Sequence, residues 1–383
     1  MRLLTSLLAL LPIVSAIPHA FAPTPTEKRH HKAAPATFNN VTVYVPPSNY
    51  TDPRVLYARS AQLPNGDLLA TWENYSPEPP QVYFPIWKST DNGYTWKELS
   101  RVQDQVYGYG LRYQPFLYVL PKAFAEWPAG TVLLSGSAIP TDLSSTHIEL
   151  YASLDSGVTW TFVSHIAAGG EAVPNNGLTP VWEPFLMLHG QKLICYYSDQ
   201  RDNATHGQKL VHQTTTDGKA WGTVTDDVAY PKYTDRPGMP TVAKLPNDKY
   251  IYMYEYGGTA QTSSYAFPVY YKIASDPENF NAATGVVLKA TDGTIPKGSP
   301  YVVWSSVGGA NGTLIASSGG QSEIFTNTQL GAGLWKKVST KEGTSYTRHL
   351  RVLQNGKLLI MGGGVLPPST TNRITVTVME VPR

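Results

Sequence analysis

The stretch TPVWEPFLMLHGQKLICYYSDQRD, which runs from Thr179 to Asp202, has the pattern of a β-hairpin. An apolar strand leads to a tight turn that ends at Gly190, and a second apolar strand follows. Glycine suits such a turn because it easily adopts the left-handed backbone angles that the turn needs. One carboxylate, Glu183, lies among aromatic residues near the start of the first strand. A carboxylate in that setting is either an ion-pair partner or a working acid.

This turn and the apolar strand after it recur six times along the 383 residues. The intervals of about 45–65 residues are long enough for four short strands each. The recurrence predicts an all-β fold, a six-bladed β-propeller of four-stranded antiparallel blades. A long β-sandwich with coincident turns is the alternative. The six segments are PNGDLLATW (64–72), PAGTVLLSG (128–136), HGQKLICYY (189–197), PNDKYIYMY (246–254), ANGTLIASS (310–318) and QNGKLLIMG (354–362).

A second repeat follows the first one and has the form S-x-D-x-G-x-T-W. Its aspartate can accept N–H groups of its own turn, and its tryptophan can pack beneath the turn. The motif looks like the Asp box of sialidase-like propellers, and we interpret it as a structural turn, not as a metal site. Full copies lie at Ser89–Trp96 and Ser153–Trp160, a degenerate copy at Thr214–Trp221 and a weaker echo at Ser275–Phe280.

Two alternating segments at the ends of the repeats predict how the propeller closes. Val41–Val45 precedes the first repeat, and Arg373–Val381 lies at the C-terminus. We expect the N-terminal strand to complete the last blade, because this removes a free sheet edge.

The N-terminal residues predict secretion into the extracellular space. Residues 1–16 have the basic start, apolar run and small residues of a signal peptide, and residues 17–36 read as a pro-segment or disordered linker. We expect residues 37–383 to form the single catalytic propeller and the protein to be a monomer. The lone Cys195 is expected to be a buried core thiol. Sequons for N-glycosylation begin at Asn40, Asn49, Asn74, Asn203 and Asn311.

Composition argues against several classes of partner. The formal net charge is +2 and only 15% of residues are charged, so nothing indicates a nucleic acid partner. No segment after the signal is long enough to span a membrane. The nine histidines show no metal-ligand spacing, and no nucleotide-binding or serine-hydrolase motif is present. We therefore expect no metal and no cofactor.

The turn glycines serve as a ruler for the positions nearest the propeller axis. Seven residues before the turn stand Arg59, Glu183 and His349, and X-Pro pairs mark similar points in other repeats. These residues should form a ring at the mouth of the central funnel, where propellers bind ligands. The pairs are Gln114-Pro115, Glu183-Pro184, Met239-Pro240 and Ser299-Pro300.

Seven residues after the turn lies the position expected to face this ring across the hairpin. The ruler predicts that Arg59 faces Glu73 in an ion pair and that Glu183 faces Tyr197. It places Glu255 opposite Met239 in the next blade. Neither Glu183 nor Glu255 has a cation opposite it across its hairpin. The two belong to adjacent blades, and we expect both to face the same funnel without an ion-pair partner.

Two unpaired carboxylates in a cleft rich in tyrosine and tryptophan are what glycoside hydrolysis requires. We assign Glu183 as the nucleophile and Glu255 as the acid/base, because the aromatic surroundings of Glu255 disfavour its charged form. One alternative is the reverse assignment of nucleophile and acid/base, and another is that either glutamate is a satisfied structural polar residue. Trp182 is either a sugar-stacking platform or part of the core. The residues expected to bind substrate are Arg112, Gln114, Trp182, Tyr197, Arg236, Tyr346, Arg348 and His349.

The chain resembles glycoside hydrolase family 93, a family of secreted fungal exo-arabinanases. The resemblance covers most of residues 38–383 and rests on the Asp boxes, the VWEPF stretch around Glu183 and the YMYEYGG stretch around Glu255. It implies a sialidase-like six-bladed propeller in which two glutamates do the chemistry. It also implies a retaining enzyme that acts on linear α-1,5-L-arabinan and releases arabinobiose from the non-reducing end.

Two other functions are compatible with the same fold. A sialidase or another exo-glycosidase would use an arginine triad and a tyrosine nucleophile, for which Arg59, Arg236, Arg348 and Tyr346 are available. The first inner strand, however, lacks the R-I-P pattern of sialidases around Arg59. A non-catalytic carbohydrate-binding propeller would bind a polysaccharide without turnover.

Overall fold

Every regular element in the part of the chain that the computed structural model describes, residues 35–259 and 264–382, is a β-strand. The predicted signal peptide at 1–16 and nearly all of the predicted pro-segment at 17–36 lie outside these residues. Ala34–Arg383 forms one compact unit. No helix in the described ranges is long and apolar enough to cross a membrane.

The strands form six four-stranded antiparallel sheets, which confirms the six-bladed propeller. In chain order the first strands are β1 (Phe38–Tyr44), β2 (Val55–Gln62), β3 (Leu68–Asn74), β4 (Phe84–Ser89), β5 (Lys97–Val102), β6 (Gly110–Val119), β7 (Val132–Ile139), β8 (Thr146–Ser153) and β9 (Thr161–Gly169). Blades 3 and 4 contain β10 (Val181–His189), β11 (Lys192–Asp199), β12 (Lys209–Thr215), β13 (Thr225–Val228), β14 (Arg236–Lys244), β15 (Tyr250–Gly257), β16 (Val269–Ala274) and β17 (Val286–Val287). The last are β18 (Tyr301–Ser305), β19 (Thr313–Ser317), β20 (Ile324–Asn327), β21 (Lys336–Val338), β22 (His349–Val352), β23 (Lys357–Gly362) and β24 (Ile374–Glu380).

Blades 1 to 5 each take four consecutive strands, from β2 to β21, and the sixth blade is closed by the N-terminus. Its order is β1-β24-β23-β22, so β1 covers the edge of β24, with Val41 opposite Val376. This confirms the predicted closure. The sixth blade is therefore the one that combines strands from both ends of the described chain, whereas each other blade is built from consecutive strands.

The hairpin turns form where the sequence pattern predicts them. Gly190 and Gly356 both have positive φ, at 56° and 78°, which residues with a side chain rarely adopt. The Asp boxes also form turns, each between the third and fourth strands of a blade. Asp155 accepts hydrogen bonds from the backbone N–H and the hydroxyl of Thr159, at 2.8 and 2.7 Å. The Trp160 indole closes the same turn by donating to the Gly157 carbonyl.

The core lies between neighbouring blades, where large apolar side chains from adjoining sheets pack together. Trp72 and Trp335 are both fully buried, and Cys195 is buried without a disulfide, as expected from the sequence. This interblade packing fixes the sheets around the axis and so fixes the residues at the funnel.

One residue near the start of the first strand of each blade has positive φ, and we call these six the ring residues. In the first four blades the strand register shifts at this point, so that an extra residue bulges out of the ladder. Four ring residues precede a proline, which agrees with the confinement of strand prolines to bulges and edges. The ring residues are Tyr57, Gln114, Glu183, Met239, Ser299 and Thr347.

The strand register corrects two of the predicted pairings across the hairpins. Arg59 lies opposite Thr71, whereas Glu73 lies opposite Leu56. Glu255 lies opposite Gly238 and not opposite Met239. The bulge in β14 adds a residue to one strand only and so displaces the partner of Glu255 by one. Arg59 lies between the turn and the bulge of its hairpin, and its partner differs because the β2–β3 register is centred on Asn65 and not on the turn glycine.

Candidate active site

The two candidate glutamates lie at the same end of the propeller, in adjacent blades. Glu183 is near the start of β10, and Glu255 is near the end of β15. Because antiparallel strands alternate in direction, the start of a first strand and the end of a second strand meet at one end. The hairpin turns and Asp boxes lie at the other end.

Glu183 is 9% exposed and is a ring residue, with φ of 64°. Its Oε2 accepts hydrogen bonds from the Ser198 hydroxyl at 2.6 Å and from the Met239 backbone N–H at 2.7 Å. Burial raises the pKa of Glu183, while these two donors and the charge of Arg236 act in the opposite direction. The donors therefore favour the ionised form that a nucleophile needs.

Glu255 is partly exposed and has fewer groups that favour its charge. Among the described residues, Glu255 Oε2 accepts a hydrogen bond from the Ser299 backbone N–H at 2.6 Å. Its enclosure and, second, the negative charge of Glu183 raise the pKa of Glu255 to about 8. The raised pKa favours the protonated form of Glu255, which is the form that a general acid requires.

Gly238 lies between the two carboxylates and shows how close they are. A methyl group on its Cα would lie 3.3 Å from Glu255 Oε1 and 3.6 Å from Glu183 Oε2. The two oxygens cannot be further apart than the sum of these distances. A side chain at position 238 would occupy the space that both carboxylates face.

Arg236 supplies a positive charge that acts on both glutamates. Its guanidinium is held by side-chain oxygens of Asn176, Gln200 and Gln208, at 2.5, 3.0 and 2.8 Å. No carboxylate of the described residues forms an ion pair with it within 4.0 Å. The fixed guanidinium therefore contributes its field to the site without neutralising either glutamate.

The predicted ion pair between Arg59 and Glu73 is wrong. The Arg59 guanidinium donates to the carbonyls of Ala58 and Thr347 and lies over the Tyr57 ring, 4.1 Å from its centroid. Glu73, 3% exposed, instead accepts hydrogen bonds from other groups, and burial raises its pKa to about 7. The chain thus has a further buried carboxylate beside the funnel.

Four of the residues expected to bind substrate lie around the glutamates. Tyr346 is partly exposed and its hydroxyl lies 3.6 Å from Met239 Sδ, between blades 6 and 4. Trp182 is 6% exposed, and its indole donates to Gln200. Gln114 is buried as a ring residue, and Arg236 is placed as described above.

Arg112 is also at this end of the propeller, but it is already paired. Its guanidinium forms a salt bridge with Glu78 at 2.8 Å, and Thr141 donates to the same carboxylate. This contact ties together the loops that follow β3 and β7. The arrangement gives Arg112 a structural partner that the sequence pattern did not indicate.

The geometry does not support substrate contacts by Tyr197, His349 or Arg348. Tyr197 is fully buried, and its hydroxyl lies between Gln213 and Arg201. His349 is also fully buried, and its imidazole contacts the Ser60 hydroxyl at 2.9 Å. Residue spacing predicted their position along the strand but not which face of the strand they occupy.

Arg348 has a structural role that is visible in its hydrogen bonds. Its side chain has no exposed surface, and its guanidinium donates to the backbone carbonyls of Gln321, Ser322 and Glu323. Each donated bond satisfies a carbonyl that the loop leaves without a partner in a sheet. Arg348 therefore stabilises the loop between β19 and β20 and does not face the funnel.

The sequence interpretation missed several aromatic residues at this end. Tyr57 and Tyr75 line the space around Met239 together with Tyr346. Tyr265 and Phe267 form an exposed edge-to-face pair with ring centroids 5.4 Å apart, and Tyr265 lies in the fields of Arg236 and Glu255. For Tyr265 and Phe267 the available sequence signal was their place after β15, the strand that carries Glu255.

One group of potential metal ligands lies at the opposite end, near the hairpin turns. Atoms of His189, Asp276 and Glu278 come within 4.8 Å of one another. The Lys192 ammonium group already lies 2.7 Å from Glu278. A bound lysine supplies the positive charge that a cation would supply, so the group has a structural explanation.

A six-bladed propeller whose funnel holds two close glutamates with different hydrogen-bond surroundings defines a glycoside hydrolase of the propeller class. Comparison with solved structures narrows this class. The chain is similar to an α-L-arabinanase of Penicillium chrysogenum, solved with arabinobiose: identity is 61%, coverage is 90% of this chain and 99% of that chain, and the TM-score is 0.89. It is also similar to the family 93 α-L-arabinofuranosidase of Fusarium graminearum, solved with arabinobiose, at 59% identity over 90% and 98% of the chains, again with a TM-score of 0.89. The chain belongs to glycoside hydrolase family 93.

More distant structures agree on the fold alone. The NanB sialidase of Streptococcus pneumoniae is 10% identical over 90% of this chain and 70% of that chain, with a TM-score of 0.58. No family model and no curated protein matches the chain.

Proposed function

We propose that this glycoside hydrolase acts on the ends of linear α-1,5-L-arabinan chains and releases arabinobiose from the non-reducing end with retention of configuration. The observation that carries the proposal is the arabinobiose bound by two relatives that are 61% and 59% identical to it over nearly their whole length. The pair of unlike glutamates supplies the chemistry.

In the first step Glu183 is the nucleophile. Its Oε2 is engaged by Ser198 and by the Met239 N–H, whereas no hydrogen bond from the described residues reaches Oε1. Oε1 attacks the anomeric carbon, and Glu255 gives its proton to the leaving glycosidic oxygen. The donors on Oε2 hold the carboxylate at a fixed angle during the attack, which lowers the entropic part of the barrier.

In the second step the charge change on Glu183 converts Glu255 from acid to base. The ester formed on Glu183 carries no negative charge, and that charge is one of the two causes that raise the pKa of Glu255. The pKa of Glu255 therefore falls, and its carboxylate is retained until it takes a proton from the incoming water. Water attacks the anomeric carbon, Glu183 leaves as the carboxylate, and both groups return to their first state.

The spacing of the two carboxylates favours retention. The distances from Gly238 limit how far Glu183 Oε2 and Glu255 Oε1 can be apart. That limit holds for one oxygen of each carboxylate, and it includes the ~5–5.5 Å separation of retaining pairs and only the lower end of the ~6.5–9.5 Å range of inverting pairs.

The surroundings suit an uncharged sugar better than a sialic acid. Of the three arginines available for a carboxylate-binding triad, Arg348 is fully buried on backbone carbonyls and Arg59 is 3% exposed against Tyr57. Arg236 is the one of the three whose charge acts on both glutamates, whereas that of Arg59 acts on Glu183. The exposed rings of Tyr265 and Phe267 offer flat apolar surfaces of the kind on which sugar rings stack.

The test is product analysis on debranched arabinan combined with two glutamine variants. Wild-type protein should release arabinobiose as its sole early product, and NMR should show it first as the α-anomer. Glu183→Gln and Glu255→Gln should each lower kcat by orders of magnitude, because glutamine keeps the acceptor oxygen but neither attacks nor donates a proton. With an aryl leaving group that needs no proton, Glu255→Gln should recover rate in the first step and Glu183→Gln should not. No release from arabinan, with release from a sialyl substrate, contradicts the proposal.

Secretion and a monomeric state belong to the same proposal. The apolar segment within residues 1–16 supports export, and in the sixth blade β1 of the same chain already pairs with the edge of β24, where a partner could otherwise add a strand. Mass spectrometry of protein from culture medium should find a mature N-terminus after residue 16 or residue 36. Light scattering should give the mass of one chain.

A further inference from the structure

Glu73 is a buried carboxylate that the proposed mechanism does not use. It lies at the end of β3 in blade 1, is 3% exposed and has no ion-pair partner among the described residues. Its Oε2 accepts a hydrogen bond from the Tyr75 hydroxyl at 2.7 Å, and its Oε1 accepts one from the Gln114 backbone N–H at 2.9 Å. Burying a carboxylate without a cation is costly, so its retention here calls for a role.

The hydrogen bonds to the ring residues connect Glu73 to Glu183. Glu73 accepts the backbone N–H of Gln114, the Gln114 side-chain oxygen accepts the backbone N–H of Glu183 at 3.0 Å, and Glu183 accepts that of Met239. Each link crosses from one blade to the next. Two consecutive links therefore join Glu73 to the backbone of Glu183.

These hydrogen bonds are made to backbone N–H groups of residues with an unfavourable backbone conformation. Gln114 and Glu183 have φ of 60° and 64°, a region that residues with a side chain occupy only when the surroundings hold them there. An acceptor on the N–H of such a residue fixes the peptide plane and hence the direction of its side chain. If the Gln114 backbone relaxes, its side-chain oxygen moves away from the Glu183 N–H.

We propose that Glu73 is a positioning residue for the nucleophile, which it orients through Gln114. This inference rests on the proposed role of Glu183. Glu73 does not touch the reacting atoms, and its contribution is the acceptor oxygen that it presents to the Gln114 N–H. An amide oxygen at the same place should serve nearly as well, because burial already raises the pKa of Glu73 to about 7 and the site tolerates a neutral group.

The test compares Glu73→Ala with Glu73→Gln on linear arabinan. Removing the acceptor should lower kcat by about 10- to 100-fold with KM within about threefold of wild type, because a displaced nucleophile slows the chemical step more than binding. Glu73→Gln should restore kcat to within about threefold of wild type. Wild-type kcat in Glu73→Ala, or a loss that glutamine does not restore, overturns the proposal.

A double-mutant cycle shows whether the effect passes through Gln114. Gln114→Ala removes the acceptor for the Glu183 N–H and should lower kcat by itself, so it tests the link even where Glu73→Ala does not fold. The double variant should be no slower than the slower single variant, because both changes break the same chain of bonds. Fully additive losses contradict a connection through Gln114.

The chain offers a matched control in blade 2. Glu149 is fully buried, has a pKa raised to about 7 and accepts a hydrogen bond from the tyrosine two residues on, Tyr151, as Glu73 does from Tyr75. No ring residue donates to Glu149 in the described ranges. Glu149→Ala should therefore lower thermal stability without lowering kcat, and an equal loss of kcat in both alanine variants overturns the specific role of Glu73. Near-normal rates in Glu183→Gln would instead contradict the proposed mechanism itself, and this outcome does not depend on the result at Glu73.

Discussion

Replacing Ser198 by alanine should raise the pKa of Glu183 and move the acidic limb of the rate profile to higher pH. The Ser198 hydroxyl donates to Glu183 Oε2 at 2.6 Å, a distance typical of a strong bond to an ionised carboxylate. Its loss removes a donor that favours the charged form, whereas the Met239 N–H remains on the same oxygen. The sign is therefore fixed: the proton binds more tightly to Glu183 in the variant.

The size of the shift follows from the strength of that hydrogen bond. A bond to a charged group contributes about 1.5–3 kcal/mol net, and the protonated carboxyl keeps part of it. Since one pKa unit corresponds to about 1.4 kcal/mol, we expect the acidic limb to rise by about one unit. The rate on the plateau should change by only a few-fold, because the nucleophile keeps its position.

The assay is kcat/KM for arabinobiose release, measured across the pH range at low substrate, since this quantity reports the ionisations of the free enzyme. Ser137→Ala is the matched control. Ser137 occupies in blade 2 the place of Ser198 in blade 3, opposite the residue before the ring residue, and it is equally buried. Its hydroxyl has no hydrogen-bond partner in the described part of the chain, so its loss should leave the profile unchanged. An acidic limb that stays in place or moves to lower pH in Ser198→Ala refutes the argument.

The other predictions concern stability, closure and modification. Arg348→Met should lower the free energy of unfolding by about 3 kcal/mol or more in urea titrations, because it strips the donors from several buried carbonyls, and a fall in kcat at full stability would contradict this. Deleting residues 35–45 removes β1 and exposes the edge of β24, so size-exclusion chromatography should show aggregates in place of a single monomer peak. Asn74 is 3% exposed whereas Asn311 is exposed, so mass spectrometry of secreted protein should find glycan on Asn311 and not on Asn74.

The blades could be predicted from the sequence because their signals are local. A glycine in a tight turn and an aspartate that accepts its own turn N–H groups need only a few neighbouring residues, so each copy of the pattern is interpretable by itself. The recurrence then gives the number of blades. The predicted closing strand at Val41–Val45 follows from the same alternation and differs from β1 by only a few residues.

The candidate site could be predicted only in part because its decisive feature is a bulge. Counting from the turn glycine found Glu183 and Glu255 but displaced Glu73 and Glu255 from their true partners. The X-Pro pairs marked the ring positions but were not interpreted as bulges, although proline inside a strand marks a bulge or an edge. Counting also gives no information on which face of a strand a residue occupies, so Tyr197, Arg348 and His349 were assigned to the funnel although all three are buried elsewhere.

The bulges also explain how two glutamates can be both structural and reactive. Each uses Oε2 to accept the N–H of a ring residue in the next blade, Met239 for Glu183 and Ser299 for Glu255. Each therefore keeps Oε1 for chemistry, one for attack and the other for proton transfer. A carboxylate fixed through one oxygen to a rigid neighbouring blade cannot turn away from the substrate, and this restriction is the preorganisation that raises the rate. Glutamine variants should consequently fold and bind arabinobiose, because an amide oxygen can replace Oε2 in the ring, while alanine variants of either glutamate should lose stability together with activity.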